Sequence, residues 1–392
     1  MIRRYIQSNV TEDLRSKMVF VSGPRQVGKT TLAKQIGGQS FPGAYAYLNW
    51  DNRNDRKMII NGALPADRKL IVFDEIHKYG KWKNYLKGEY DKNKESFSIL
   101  VTGSARLDIY RKGGDSLLGR YRSYRLHPLS LGELIGHKVS QTPFTELKYE
   151  RHDKDAGRLF EELHKYGGFP ELFISKDDRM LRRWHLERAD RLIKEDIRDI
   201  EAIRDLSALQ VLVELLPERV GSQFSLNSLR EDLNVSHKTI SQWTDILEKF
   251  YYHFRIYPFQ STLIKSLRKE PKLYLWDWSE IKDDSTRFEN VIASHLLKFC
   301  DYFQDAEGFR ARLNYIRDRD QREVDFLVTV DNKPWFCVEA KNVYKNIPAP
   351  LKYFQEKLKI PYAFEVVKEN GIDFVKDGVR VISASKFLTG LI

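Results

Sequence analysis

Short apolar runs recur along the first part of the chain: MVFVS at 18–22, AYAYLNW at 44–50, LIVFDE at 70–75, FSILVTGS at 97–104 and YRLHPLS at 124–130. Helical patterns separate them. Continuous apolar runs spaced by helices predict a parallel sheet buried on both faces. From about 150 to 205 the pattern turns helical and heavily charged, interrupted by GGFP at Gly167 to Pro170. Residues 206–260 read as a compact helical block closing in the strand-like YYHFRIYPF, and KSLRKEPK at 265–272 reads as a basic linker. An α/β pattern then resumes to the C-terminus. A chain of 392 residues exceeds one ordinary hydrophobic core, so the expectation is a multidomain α/β protein with breaks after residues 140, 205 and 264.

The first apolar run leads into VSGPRQVGKTTLAKQI, which fits a strand, a glycine loop and a helix. Gly23-x4-Gly28-Lys29-Thr30 is the Walker A pattern, in which backbone N–H groups wrap a β-phosphate. The expected cradle is Gly23, Pro24, Arg25, Gln26, Val27, Gly28, Lys29, Thr30 and Thr31. Lys29 would reach the β/γ oxygens of ATP and Thr30 would hold Mg²⁺, with the helix N-terminus adding its dipole. At the end of LIVFDE, Asp74 is expected on the Mg²⁺ shell and Glu75 beside the attacking water. The plainer reading of Glu75 is a surface glutamate at a strand end. VTGS offers Ser104, and after it Thr102, as a polar sensor of the γ-phosphate. Arg120 stands just before the last strand, where it would serve as an arginine finger for a neighbouring subunit or as an ordinary surface arginine.

GPRQVGKTT, LIVFDEIHK, VTGSAR, the GR before PLS, and GGFPE together strongly resemble bacterial and archaeal AAA+ ATPases that carry a restriction-endonuclease-like C-terminal domain. The resemblance covers nearly the whole chain. It implies an AAA+ core over 1–140 followed by a small helical lid over 141–205. The chain departs from the AAA+ pattern in lacking asparagine at the sensor position.

In the middle, Leu226, Leu229 and Leu233 share one helical face, while Ile240, Trp243, Ile246, Leu247 and Phe250 form a second stripe. Ser236 is placed to cap the second helix. Two short helices, a tight turn and a following strand pair predict a winged helix-turn-helix over 206–264. Its recognition face would carry His237, Lys238, Ser241 and Gln242. Asp245 and Glu248 on the same face would repel phosphates, and the plainer alternative is a packing module. Acids interleave with the basic residues Arg182, Arg183, Arg188, Arg191, Lys194 and Arg198, so a solvated helix explains them as well as DNA does.

REVDFLVTVDNKPWFCVEAK reads as two strands joined at DNKP, with Asp325 and then Glu339-Ala340-Lys341. Two carboxylates on adjacent strands can bind Mg²⁺, and Lys341 can position water or offset phosphorane charge. Glu289, on an upstream amphipathic helix, could complete the metal set, and Gln355 is an accessory candidate. These residues resemble the PD-(D/E)XK nuclease superfamily, which assigns 265–392 to a nuclease-like α/β domain; the alternative is a fold kept without cleavage. The metal reading carries a geometric condition. A two- or four-residue loop would pair Asp325 with Ala340, whereas an odd loop or one β-bulge makes Asp325 and Glu339 neighbours.

Lys and Arg outnumber Asp and Glu by 66 to 55, an excess suited to nucleic acid, with DNA the first choice. The 2 cysteines, Cys300 and Cys337, exclude a disulfide framework and an ordinary zinc site and point to a reducing compartment. The opening stretch has no apolar segment of a signal peptide, and no run approaches the ~20 residues of a membrane span. The expectation is a cytoplasmic, Mg²⁺-dependent AAA+ ATPase, possible as a homo-oligomer, coupled to a nucleic-acid-directed nuclease-like domain. The alternative is an ATP-regulated binding switch whose nuclease-like domain is inactive.

Overall fold

The computed structural model describes residues 2–65, 67–103, 117–136, 140–149, 155–197, 203, 205–260 and 269–392. The chain divides into two compact units, Met1–His127 with Asp305–Glu307, and Pro128–Gln304 with Gly308–Ile392. The break expected near 140 therefore falls close to 127, and those expected at 205 and 264 do not separate compact units.

The first unit is a five-stranded sheet in the order β2-β3-β4-β1-β5. The strands are β1 (Met18–Ser22), β2 (Tyr45–Asn49), β3 (Leu70–Asp74), β4 (Ser98–Thr102) and β5 (Tyr121–Arg125), and all neighbours are parallel. Helices α1 (Gln7–Asp13), α2 (Lys29–Ser40), α3 (Arg53–Ile60) and α4 (Trp82–Asn93) belong to this unit. Every residue of β1 and β3 is buried, as a parallel sheet covered on both faces requires. Phe20, Phe73, Ile99 and Val101 meet Trp82 and Leu86 of α4 in one apolar cluster. The order sets β4 between the glycine-loop strand and the LIVFDE strand. Both β1 and β3 thus end beside Thr102.

The last strand begins three residues earlier than its apolar run suggests. Residues Tyr121–Arg125 pair with Met18–Ser22, and only Tyr124 of the five is buried. An edge strand has one neighbour and a partly wet face, so its sequence lacks the continuous apolar signature that Leu126 and Leu129 supply just after it.

The second unit contains α5 (Ala156–Tyr166), α6 (Pro170–Ser175), α7 (Asp178–Arg191), α8 (Leu206–Leu215), α9 (Leu226–Asp232), α10 (His237–Lys249), α11 (Asp284–Asp305) and α12 (Ala349–Lys357). Its strands are β6 (His253–Pro258), β7 (Lys272–Leu275), β8 (Ala311–Arg317), β9 (Glu323–Val330), β10 (Lys333–Lys341), β11 (Tyr362–Val367), β12 (Asp373–Lys376) and β13 (Val379–Ser383). They form one eight-stranded sheet in the order β12-β13-β11-β10-β9-β8-β6-β7. The strand pair expected to close a separate winged helix, β6 and β7, is instead continuous with the C-terminal sheet: Tyr257 and Pro258 pair with Asn314 and Tyr315. Ser236 caps α10 as its position suggests, its hydroxyl accepting from the Thr239 N–H at 3.1 Å.

The β9–β10 hairpin turns through Asp331 and Asn332, at φ of 49° and 63°, the paired left-handed residues of a two-residue turn. The register shifts between Pro334 and Phe336, so Val338 faces Phe326. One bulge at Trp335 thus brings Glu339 opposite Asp325, the register the metal reading requires.

Candidate functional site

The glycine loop leaves β1 through Gly23, whose φ is 151°; a Cβ there would lie 2.4 Å from the Leu126 carbonyl oxygen. Only glycine fits that approach. Gly28, at φ 98°, opens α2. The Lys29 ammonium is buried and donates to the carbonyls of Gly23 at 2.9 Å and Pro24 at 2.6 Å. It is therefore held inside the loop that would wrap the phosphates. From outside the motif, the buried Arg4 guanidinium donates to the Val27 carbonyl at 2.7 Å and to the carbonyl of His127. No pattern marked Arg4, since its partners lie far away in sequence. Arg4→Ala should destabilise the first unit by about 2 kcal/mol, the scale of a lost charged hydrogen bond, and weaken ATP binding; an unchanged unfolding midpoint would show that the loop stands without it.

Asp74 is the hub. Thr30, from the first turn of α2, donates to one of its oxygens at 2.9 Å, and Thr102, at the end of β4, donates to the other at 2.6 Å. The Tyr47 hydroxyl also donates to Asp74, and burial followed by that carboxylate pushes its pKa up to about 12. A hydroxyl and a carboxylate side by side form an oxygen-only set suited to a hard cation such as Mg²⁺. Thr102, the second sensor candidate, reaches this centre; Ser104, the first, lies outside the described residues. Tyr47 gave no motif signal, because it is one of two tyrosines in β2.

Glu75 follows at φ 58°, with its N–H donating to the Thr102 carbonyl at 3.0 Å. Its carboxylate lies 3.4 Å from the His77 ring and 3.5 Å from the Lys78 ammonium. Burial raises its pKa, with Lys78 and Lys29 opposing the rise. Arg25 and Thr31 are exposed at the loop, and Gln26 holds φ 63°.

Arg120 sits at the other end of the sheet. Its carbonyl accepts from the Met18 N–H, at the start of β1, whereas the glycine loop leaves the far end of that strand. Five residues of strand span about 16 Å, so Arg120 cannot serve the nucleotide site of its own subunit. Its guanidinium grips Asp91 of α4 in a two-pronged pair at 2.7 and 3.0 Å, exposed to solvent.

In the second unit, Asp325 and Glu339 are adjacent as expected, joined through backbone: the Ala340 N–H donates to Asp325 at 3.0 Å and the Asp325 N–H to Glu339 at 3.3 Å. Lys341 meets Glu339 at 2.8 Å. The metal set of Glu289, Asp325 and Glu339 is not assembled. Among the described residues no group of three or more His, Cys, Asp or Glu is placed to hold a metal ion. The physical reason is Lys272, read from sequence as linker, which lies buried in β7 with its ammonium 2.6 Å from Glu323, 3.4 Å from Asp325 and 3.5 Å from Glu289. Gln355 points elsewhere, to the Gly378 carbonyl at 3.1 Å.

On α10, His237, Lys238 and Gln242 are exposed. Asp245 and Glu248 do not confront a phosphate as free charges: Arg255 of β6 donates to them at 2.7 and 2.9 Å. In α7 and the helical stretch Leu192–Ile197 that continues it, Arg188 is turned inward onto Asp277 and Glu280, while Arg183 and Arg191 pair with Glu187 and Lys194 with Asp190. That pattern is a salt-bridged helix; Arg198 lies outside the described residues. Among the described residues no helix is long and apolar enough to cross a membrane.

Residues 15–135 match an AAA domain. Within the AAA domain fall the glycine loop, Asp74, Glu75, Thr102 and Arg120, and its fold is the parallel α/β sheet described above. Residues 157–279 match a domain of unknown function, DUF8612, and residues 286–387 another, DUF4143. Over 372 residues the chain is 24% identical to an uncharacterized protein of Methanocaldococcus jannaschii, covering 88% of this chain and 79% of that protein. An uncharacterized protein of Mycobacterium tuberculosis is 24% identical over 266 residues, covering 67% of this chain and 55% of the relative. Among solved structures, the Thermotoga maritima RuvB Holliday junction branch migration motor aligns at 18% identity over 64% of this chain and 87% of that one, with a TM-score of 0.30. The Aeropyrum pernix Orc1 protein, solved in complex with DNA, aligns at 13% identity over 74% and 93%, with a TM-score of 0.34.

Proposed function

We propose that this chain is a cytoplasmic ATPase that binds Mg²⁺·ATP in its AAA domain, hydrolyses it in a homo-oligomer, and uses the cycle to switch how its second unit engages nucleic acid. The observation that carries the reading is the Asp74 carboxylate, met by Thr30 from the glycine-loop helix and by Thr102 from β4, with Glu75 next in the chain. Mg²⁺, when bound, would offset the charge of the phosphates. Thr30 and Asp74 would hold it. Lys29 would exchange its two loop carbonyls for the β/γ oxygens, and the backbone from Gly23 to Gly28 would wrap the β-phosphate. Glu75 would orient the attacking water and take its proton. Thr102 would keep Asp74 aligned, and Arg120 would complete a neighbouring subunit's site.

The nucleic-acid part rests on the excess of 66 basic over 55 acidic residues and on the exposed His237, Lys238 and Gln242 of α10. A capped helix with such groups can meet phosphates and base edges.

Lys29→Ala tests the nucleotide reading. It should weaken ATP binding more than tenfold, because the triphosphate charge loses its buried counter-charge. Calorimetric titration giving wild-type affinity for this variant would refute the site.

A further inference from the structure

The acidic cluster of the second unit is built like a cation site, and it already contains a cation. Glu289 comes from α11, Glu323 and Asp325 from β9, and Glu339 from β10. Glu365 of β11 stands in register beside Glu339 and is 1% exposed, so acids line up across three neighbouring strands. Into this group β7 delivers Lys272, itself only 3% exposed, with its ammonium within 3.5 Å of oxygens from Glu289, Glu323 and Asp325.

We infer that the Lys272 ammonium is the resident cation of this cluster, a tethered stand-in for a divalent metal, and that the second unit therefore carries out no metal-dependent phosphodiester cleavage.

Three observations support this. First, Mg²⁺ sits about 2.1 Å from its oxygens, with one or two carboxylates and several waters around it, and here the ammonium takes the space between three of the acids. Second, each of these acids already accepts a hydrogen bond or ion pair from the protein. Glu289 accepts from the Tyr274 hydroxyl at 2.6 Å, Asp325 from the Ala340 N–H at 3.0 Å, and Glu339 takes Lys341 at 2.8 Å on one oxygen and the Asp325 N–H at 3.3 Å on the other. Third, the lysine cannot swing aside cheaply. Its backbone is fixed in β7 opposite Ile256 and bridged to Gln223. Moving the ammonium out would also leave Asp325 and Glu289 without a counter-charge, whereas Glu323 keeps Arg317 and Glu339 keeps Lys341.

Mn²⁺ is the probe, titrated into the full chain without nucleotide and followed by its electron paramagnetic resonance signal. The wild type should show no Mn²⁺ binding that Asp325→Asn or Glu339→Gln removes. Lys272→Met, which keeps the stem and deletes the charge, should gain a Mn²⁺ site at least tenfold tighter than any in the wild type, and adding Glu339→Gln should abolish it. A wild-type Mn²⁺ site lost in Asp325→Asn overturns the inference, as does Lys272→Met that folds and gains nothing. If Lys272→Met does not fold, the wild-type comparison decides alone. Mg²⁺-dependent cleavage of DNA by the wild type, lost in Asp325→Asn, would overturn it from the side of chemistry. Each outcome is independent of the AAA domain, whose Asp74 and Glu75 are unchanged throughout.

Discussion

Glu75→Gln should bind ATP as tightly as the wild type while turning it over about 10²- to 10⁴-fold more slowly, the range for a lost general base. The amide keeps the size of the side chain and can still hydrogen-bond to water, but it cannot take the proton. The backbone is set independently of the side chain, by the left-handed φ of 58° and the N–H to the Thr102 carbonyl, so the substitution should leave the site's shape intact. The pH profile gives a second readout. Burial raises the Glu75 pKa above that of an ordinary glutamate. As pH falls through that raised value the carboxylate gains a proton and the wild-type rate drops, so the acid limb should lie above the usual carboxylate range. In Glu75→Gln this limb should vanish from the residual rate. Single-turnover measurements showing a loss of less than about threefold would reduce Glu75 to a surface residue.

Arg120→Ala should lower turnover by about 10³-fold or more, the contribution of an arginine finger, with ATP affinity nearly unchanged. The residue is too far from its own subunit's glycine loop to touch the nucleotide there, so a direct catalytic contribution must act between subunits. Mixing gives the decisive comparison. Arg120→Ala retains the loop and Lys29→Ala retains the finger, so the mixture should regain turnover that neither has alone. The Asp91 pair does not forbid this, since an exposed ion pair holds little net stability and can yield to a phosphate. Asp91→Ala separates the roles: a structural Arg120 predicts the same loss from either partner, whereas a finger predicts little loss from Asp91→Ala. Turnover per subunit that is independent of protein concentration, with no rescue on mixing, would leave Arg120 structural.

Much of the first unit was legible in sequence because its chemistry is local. The glycine loop needs consecutive residues, and β1 and β3 announce themselves by burial on both faces. Arg4 and Tyr47 escaped notice for the opposite reason, since each acts on residues more than twenty positions away. The C-terminal hairpin was half legible. Spacing alone posed the condition on Asp325 and Glu339, and the bulge at Trp335 meets it. What spacing hid was Lys272. In KSLRKEPK it is one lysine among several beside a proline, the signature of a solvated linker. Only the tertiary fold shows that three acids from 289 to 325 surround it. A buried charge is recognised by its partners, and here they come from another stretch of the chain.

The continuous sheet also bears on ancestry. Residues 157–279 and 286–387 match separate families, yet β6 and β7 belong to the first stretch and β8 to β13 to the second. Lys272 lies in one stretch; Glu289, Glu323, Asp325 and Glu339 lie in the other. Shuffling either stretch into a foreign partner would leave a bare strand edge at β8 and, in the acid-bearing stretch, several negative charges without their lysine. The two stretches are therefore coupled through charge: replacing the lysine in one would leave acids of the other to be neutralised by protonation, by substitution or by a metal.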